Sequence, residues 1–176
     1  MCGICGIVDL NGRKINKNSI SIMTGAMVHR GPDDEGFIVA ENIGIGMRRL
    51  SIIDLETGQQ PISNEDDSVW VVLNGEIYNH IELRKELKEK GHVFQTNSDT
   101  EVLVHLYEEY GYKSLDKING MFAFALIDKK KNLLWVARDR LGIKPLFYSV
   151  TKDNFIFSSD LKSISKYTNV SIEPSN

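Results

Sequence analysis

The chain opens with MCGICGIVDL, residues 1–10, and the prediction of the fold starts from this stretch. The apolar side chains of Ile4, Ile7, Val8 and Leu10 predict a buried strand. A chain terminus is usually loose unless a strand or helix ties it to the rest of the domain. The first residues are therefore predicted to be a fixed part of the structure.

Cys2 lies at the start of this strand. Removal of Met1 would leave a thiol and a free α-amine on the same residue. A free α-amine titrates near pH 7.7–8.0 and a cysteine thiol near pH 8.5, so the amine can accept the thiol proton at neutral pH. This is a minimal nucleophile–base pair, related to the N-terminal threonine arrangement. The alternative is an incidental cysteine at a disordered terminus.

Cys2 and Cys5 also form a C-x-x-C pair, which raises redox or metal chemistry as another possibility. Redox pairs usually lie where a strand meets a helix, and no helix start follows here. A zinc site needs further ligands, and the histidines show no ligand spacing: His29, His80, His92 and His105. We therefore predict no metal site and interpret Cys5 as a small buried apolar residue.

Composition limits the classes of partner. At 176 residues and 41% hydrophobic residues, the chain is predicted to be one domain that buries about 70% of its extended-chain surface. The net charge of −3 and the lack of a basic stripe argue against a nucleic-acid partner. The apolar runs are far shorter than the roughly 20 residues that span a bilayer, so no membrane association is predicted. The cysteine usage and the absence of a leader pattern predict a cytoplasmic protein.

Hydrophobic periodicity predicts an α+β fold. The apolar spacing predicts helices near 20–28, 83–91, 98–111 and 161–166, and strands over 36–40, 43–47, 69–73, 121–128, 133–138, 146–150 and 155–158. Ser98 and Glu101 predict a capping box at the start of the third helix. Strands in hairpins with helices between them favour two packed sheets covered by helices.

Asn74-Gly75 allows two interpretations. It is the standard two-residue hairpin signal, which local sequence alone favours. The following residues, 76–79, make a poor return strand, however. An asparagine amide beside a glycine N–H at a strand end would also suit an oxyanion hole.

Three more polar positions are ambiguous on local evidence. Arg49 follows Arg48 at the end of a predicted strand and could be surface charge. Asp99 opens a helix, where the macrodipole alone would favour a carboxylate. The segment 29–36 could be an ordinary turn.

Taken together, these motifs resemble one family. The chain is similar to the glutaminase domain of class II glutamine amidotransferases, which are N-terminal-nucleophile hydrolases, and is most similar to that of asparagine synthetase. The resemblance runs from Cys2 to about Ser165. The motifs that carry it are Cys2-Gly3-Ile4-x-Gly6-Ile7, His29-Arg30-Gly31-Pro32-Asp33, Arg49-Leu50-Ser51-Ile52-Ile53-Asp54, Asn74-Gly75-Glu76-Ile77-Tyr78-Asn79, Ser98-Asp99-x-Glu101, Gly120-Met121-Phe122-Ala123-Phe124 and Arg138-Asp139-x-Leu141-Gly142-x-Lys144-Pro145-Leu146. One departure is Met47, where many relatives carry histidine.

The resemblance implies a four-layer α-β-β-α sandwich and a site for L-glutamine. Cys2 would attack the side-chain amide, and Asn74 and the Gly75 N–H would hold the oxyanion. Arg49 would bind the substrate α-carboxylate and Asp99 the α-ammonium group. The backbone of four further residues would line the pocket: Leu50, Ile52, Ile53 and Glu76.

The resemblance also implies a longer enzyme. Residues 1–167 would form the glutaminase domain, and 168–176 a linker or cut end towards a synthetase domain that uses the ammonia on aspartate. ATP and Mg²⁺ would bind only there, and this chain would need no cofactor. The segment 138–145 is expected to contribute to the docking face. Two other classes remain open: an amidase for a different amide, and a non-catalytic interaction or regulatory module on the same fold.

Overall fold

The structure, a computed structural model, describes residues 1–50 and 58–168. In these residues nine strands form two antiparallel sheets. The strands are β1 Gly3–Asp9, β2 Asp34–Ala40, β3 Ile43–Arg49, β4 Ile62–Ser63, β5 Val69–Ile77, β6 Gly120–Asp128, β7 Leu133–Arg138, β8 Phe147–Val150 and β9 Asn154–Ser158. Four α-helices accompany them in the described part: α1 Lys17–Gly25, α2 His80–Glu89, α3 Val102–Tyr110 and α4 Leu161–Thr168.

The first sheet has the order β2-β3-β1-β9-β8, with β1 at its centre. β1 pairs with β3 from Gly3 opposite Arg48, and with β9 from Cys5 opposite Ser158. Because neighbours on both sides satisfy its backbone groups, the start of the chain is held in place, as the apolar pattern predicts. Leu10 is the exception, since it lies beyond the strand and is 52% exposed.

The second sheet has the order β4-β5-β6-β7. β5 continues through Asn74 and Gly75 as far as Ile77, and it pairs with β6 along its whole length. The hairpin interpretation of Asn74-Gly75 is therefore wrong. Pairing with β6 overrides the local turn preference of these two residues. The short strand β4 in this sheet was not predicted.

Three apolar clusters define four layers. Side chains of β1, β3, β5 and β6 meet between the sheets, among them Ile4, Met47 and Val72. The outer face of the second sheet packs on α2 and α3, and the outer face of the first packs on α1 and α4. The predicted α-β-β-α sandwich is confirmed. Among the described helices, none combines the length and apolar composition needed to cross a bilayer.

The predicted capping box does not form. The hydroxyl of Ser98 accepts a hydrogen bond from the Thr100 N–H at 3.2 Å. The carboxylate of Glu101 instead accepts the N–H groups of Gln95 and Thr96, at 2.6 and 2.8 Å. A 3₁₀ turn over Asp99–Glu101 precedes α3, and this tighter geometry changes which N–H each side chain reaches.

Candidate active site

A pocket of about 140 Å³ opens beside the start of β1. Seven of the nine predicted site residues line it: Cys2, Arg49, Leu50, Asn74, Gly75, Glu76 and Asp99. The other two, Ile52 and Ile53, lie outside the described residues. Residues that are far apart in the sequence therefore converge on one cavity, which local sequence could not establish.

Cys2 is fixed at the pocket by contacts on both sides. Its Sγ donates to the carbonyl oxygen of Leu50 at 3.7 Å, and Arg30 Nε donates to the carbonyl oxygen of Cys2 at 3.2 Å. Met1 is 62% exposed and also lines the pocket. The thiol is thus held where a bound substrate could reach it.

Cys5 has different surroundings. It is fully buried in the cluster between the first sheet and α1, whereas Cys2 packs against the cluster between the two sheets. Burial raises the pKa of the Cys5 thiol far above its ordinary value, which keeps it protonated. The prediction of a small buried apolar residue is confirmed, and thiols on opposite faces of a sheet do not make a working C-x-x-C pair.

Asn74 and Gly75 occupy the strand that forms one wall of the pocket. The side chain of Asn74 is almost fully buried, and among the described residues its Nδ2 makes only a long hydrogen bond of 3.5 Å, to Ser159 Oγ. Such an amide retains a donor for an oxygen atom in the pocket. The same Ser159 Oγ accepts the N–H of Ile4 at 3.0 Å, so it links Asn74 to β1. The sequence analysis did not identify Ser159.

Gly75 is required by close approach between strands. A Cβ atom at this position would lie 2.2 Å from the carbonyl oxygen of Met121 and 2.6 Å from Cα of Phe122. Both atoms belong to the backbone of β6, which cannot move aside easily. A side chain here would disturb the position of Asn74.

Arg49 ends β3 and is 5% exposed, so the surface-charge interpretation is wrong. The segment 29–33 packs beside it. A Cβ atom on Gly31 would lie 2.4 Å from the carbonyl carbon of Arg48, and the Asp33 N–H donates to the Arg49 carbonyl oxygen at 3.1 Å. The motif around Gly31 therefore holds the end of β3, and with it the guanidinium, at the pocket.

Asp99 is tied to the end of β5. Its Oδ2 accepts the N–H of Ile77 at 2.8 Å, and Thr100 Oγ1 lies 3.5 Å from Oδ1. Gln60, which local sequence did not mark, donates from Nε2 to Thr100 Oγ1 at 3.1 Å and accepts the Leu73 N–H at 2.7 Å. These contacts place a buried carboxylate in the wall of the pocket.

The turn after β7 adds Lys144 to the pocket lining. The carboxylate of Asp139 accepts four backbone N–H groups, from Phe122, Leu141, Ile143 and Lys144, at 3.0–3.2 Å. Burial alone would raise the pKa of Asp139, but these hydrogen bonds outweigh it and lower the pKa. Asp139 is therefore the centre of a folded turn.

A comparison with known protein families decides the classification. The profile of the glutamine amidotransferase domain matches residues 1–176. The chain belongs to this family. The amidotransferase domain is 47% identical over 167 residues to asparagine synthetase (glutamine-hydrolysing) 1 of Bacillus subtilis, covering 93% of this chain and 26% of that protein. It is 44% identical over 167 residues to asparagine synthetase (glutamine-hydrolysing) 2 of Oryza sativa, covering 94% of this chain and 28% of that protein. The domain thus spans between a quarter and a third of the length of these relatives.

Solved structures agree on the fold. The amidotransferase domain is similar to the glutamine phosphoribosylpyrophosphate amidotransferase of B. subtilis complexed with ADP and GMP, with a TM-score of 0.77 at 22% identity. The match covers 95% of this chain and 44% of that chain. The resemblance to class II glutamine amidotransferases is confirmed.

Proposed function

We propose that this domain hydrolyses the side-chain amide of L-glutamine and supplies the ammonia for asparagine synthesis from aspartate. The observation that carries the proposal is the convergence of Cys2, Asn74, Arg49 and Asp99 on one pocket. A thiol, an amide donor, a guanidinium and a carboxylate match the reacting amide and the two charged ends of a free amino acid.

The reaction would proceed through a thioester. With Met1 removed, the α-amine of Cys2 accepts the thiol proton, and Sγ attacks the amide carbon of glutamine. The Asn74 amide and the Gly75 N–H stabilise the oxyanion. The same amine then gives its proton to the departing nitrogen, and ammonia leaves. Water attacks the thioester, which releases glutamate and restores the thiol.

Arg49 and Asp99 would select a free amino acid. A planar guanidinium binds a carboxylate through two parallel hydrogen bonds, which an ammonium cannot do. The Asp99 carboxylate would bind the α-ammonium group. An amide inside a peptide has neither charge at these positions, so this pair disfavours an amidase for a protein substrate.

The acceptor of the ammonia would be aspartate activated in a synthetase domain. The domain covers only part of the asparagine synthetases that it matches, and those relatives are the basis of this assignment. Leu141 and Ile143, at the tip of the turn after β7, are 86% and 55% exposed. They are proposed to contribute to the docking face for that domain.

A labelling experiment tests the proposal. The domain alone should release glutamate and ammonia from glutamine in equal amounts. The full-length protein, given glutamine labelled with ¹⁵N in its side-chain amide, aspartate and ATP, should form asparagine labelled in its amide. Glutamate release without labelled asparagine would leave a glutaminase with another acceptor. No glutamate release from a chain that begins at Cys2 would favour a non-catalytic module.

Asn74→Ala is expected to lower kcat about 10²–10³-fold, the usual effect of removing one oxyanion donor. KM should change much less, because the amide contacts the oxygen most strongly when it carries charge. Steady-state glutamate release measures both constants. An unchanged kcat would mean that Asn74 has only a structural role on β5.

Arg49→Lys is expected to raise KM for glutamine with little change in kcat. The α-carboxylate is bound equally in the ground state and the transition state, so its loss weakens uniform binding. Arg48→Lys is the matched control, since Arg48 is paired with Glu35 at 3.3 Å and does not line the pocket. Equal effects of both changes on KM would contradict a specific role for Arg49.

A further inference from the structure

A second cluster of chemistry-bearing side chains lies outside the active-site pocket. It consists of Glu65 from the β4–β5 loop, His92 from the α2–α3 connection, and His105 and Glu108 from α3. One nitrogen or oxygen atom from each residue lies within 4.8 Å of the others. His105 is fully buried, and the other three lie nearer the surface.

Both histidines direct Nδ1 into the centre of the cluster. His105 Nδ1 lies 3.2 Å from Glu108 Oε2 and 3.8 Å from Glu65 Oε2. His92 Nδ1 lies 3.6 Å from the same Glu108 oxygen and 4.0 Å from Glu65 Oε1. A tetrahedral zinc ion with bonds of 2.0–2.2 Å places its ligand atoms about 3.3–3.6 Å apart, so these separations are close to what a metal needs.

The Nε2 atom of each ring faces a carboxylate outside the cluster. His92 Nε2 lies 3.1 Å from Glu109 Oε1, and His105 Nε2 lies 3.8 Å from Glu101 Oε1. A histidine that binds a metal usually donates its second N–H to a carboxylate, which fixes the tautomer and the ring orientation. The His92 ring has that arrangement, whereas His105 Nε2 is too far from Glu101 for a hydrogen bond and has no hydrogen-bond partner among the described residues.

Hydrogen bonds from residues outside the cluster orient the carboxylates of Glu65 and Glu108. Glu108 Oε1 accepts a hydrogen bond from Asn64 Nδ2 at 2.7 Å, and Glu65 Oε1 accepts the N–H of Val93 at 2.9 Å. Each carboxylate therefore keeps its Oε2 atom for the centre. This outer set of partners distinguishes the cluster from a chance group of surface charges.

We propose that Glu65, His92, His105 and Glu108 bind a divalent transition metal ion, with zinc as the best match to two imidazole and two carboxylate ligands. Imidazole nitrogen favours zinc over magnesium or calcium, which prefer sets made only of oxygen atoms. The proposal revises the prediction that the chain has no metal site. No ligand spacing marks this site in the sequence, because the proposed ligands come from three separate segments.

The competing explanation is a network of protonated histidines and carboxylates. Burial alone would lower the pKa of His105, but the nearby carboxylates of Glu101 and Glu108 outweigh it and raise the pKa to about 9. Such a network would stabilise the same segments without any metal. The two explanations differ in whether the cluster takes up one equivalent of zinc.

A bound metal would join three segments near the pocket. The segment between His92 and His105 includes Glu101 and, next to it, Thr100 and Asp99. Glu101 holds this segment through the N–H groups of Gln95 and Thr96. The site is therefore a structural one that would support the wall of the pocket and would take no part in the reaction.

The test is zinc binding by the chain carrying Cys2→Ala, which removes the partly exposed Cys2 thiol as a competing ligand. Metal-free protein should bind one Zn²⁺ in a calorimetric titration, and its melting temperature should rise with Zn²⁺. His92→Gln in this background should abolish both effects. Glu109→Gln, which removes the carboxylate behind the His92 ring together with its ion pair to Lys90, should weaken binding about 10- to 100-fold. His29→Gln is the matched control and should bind like the parent, because His29 is paired with Asp160 elsewhere on the fold.

Cobalt gives a second readout. Co²⁺ in the parent should show the strong visible bands of a four-coordinate ion, and His92→Gln should lose them. If His105→Ala fails to fold because its side chain is fully buried, His92→Gln and Glu65→Gln keep the test decisive. The proposal is overturned if the parent binds no Zn²⁺, or if His92→Gln binds it as tightly as the parent does.

Discussion

Cys2→Ala is expected to lower glutamate release from glutamine by at least about 10³-fold, because the change removes the atom that forms the thioester. The fold should be retained, since Cys2 is partly exposed and its main-chain contacts remain possible. Glutamine binding should also persist, because Arg49 and Asp99 are unchanged. A glutamate assay measures the loss, and calorimetric binding of glutamine shows that the pocket is intact.

Cys5→Ala is the matched control. Cys5 is buried on the opposite face of the first sheet, so its loss should leave most of the activity. Removing one buried sulfur atom should lower the free energy of unfolding by about 1 kcal/mol. Equal loss of activity from both changes would instead favour a working C-x-x-C pair and would contradict the proposed roles.

Retention of Met1 is expected to abolish glutaminase activity to a similar extent. With Met1 attached, the nitrogen of Cys2 belongs to a peptide bond and cannot accept the thiol proton. Met1 also lines the pocket and would occupy space beside the thiol. Only chains that begin at Cys2 should be active.

Two preparations of one sequence measure this effect. One is released from a cleavable tag so that Cys2 is the first residue, and the other keeps Met1 through a change in processing. Intact mass identifies each preparation, and the glutaminase assay compares them. Equal activity would show that another group, and not the α-amine of Cys2, serves as the base.

Much of the fold could be predicted from the sequence, because its signals are local. The apolar pattern after Cys2 marks β1, and the spacing of apolar residues marks the helices and most strands. Side-chain periodicity depends only on residues a few positions apart, so it can be recognised without knowledge of the fold. The proposed nucleophile could also be predicted, because the thiol and its base belong to one residue.

The site as a whole depended on tertiary structure. Local sequence favoured a hairpin at Asn74-Gly75, but pairing with β6 makes these residues part of a continuous strand. Burial at the end of β3 distinguished Arg49 from surface charge. Neither fact is local, since each depends on which strand lies alongside.

The sequence analysis missed some residues of the site for the same reason. Gln60 and Ser159 reach the site through contacts between distant segments, and no local pattern marks them. Lys144 lies in a quoted motif, but the sequence analysis assigned its segment to a docking face and not to the pocket. His92 and His105 are thirteen positions apart and lie on different elements, yet their rings are 4.9 Å apart between centroids. The sequence alone therefore determined the strand that follows Cys2 and the fold class, and it predicted Cys2 as the nucleophile. Only tertiary structure decided which distant side chains share a pocket or the proposed metal site, because sheet pairing and helix packing bring them together and neither leaves a short-range signal.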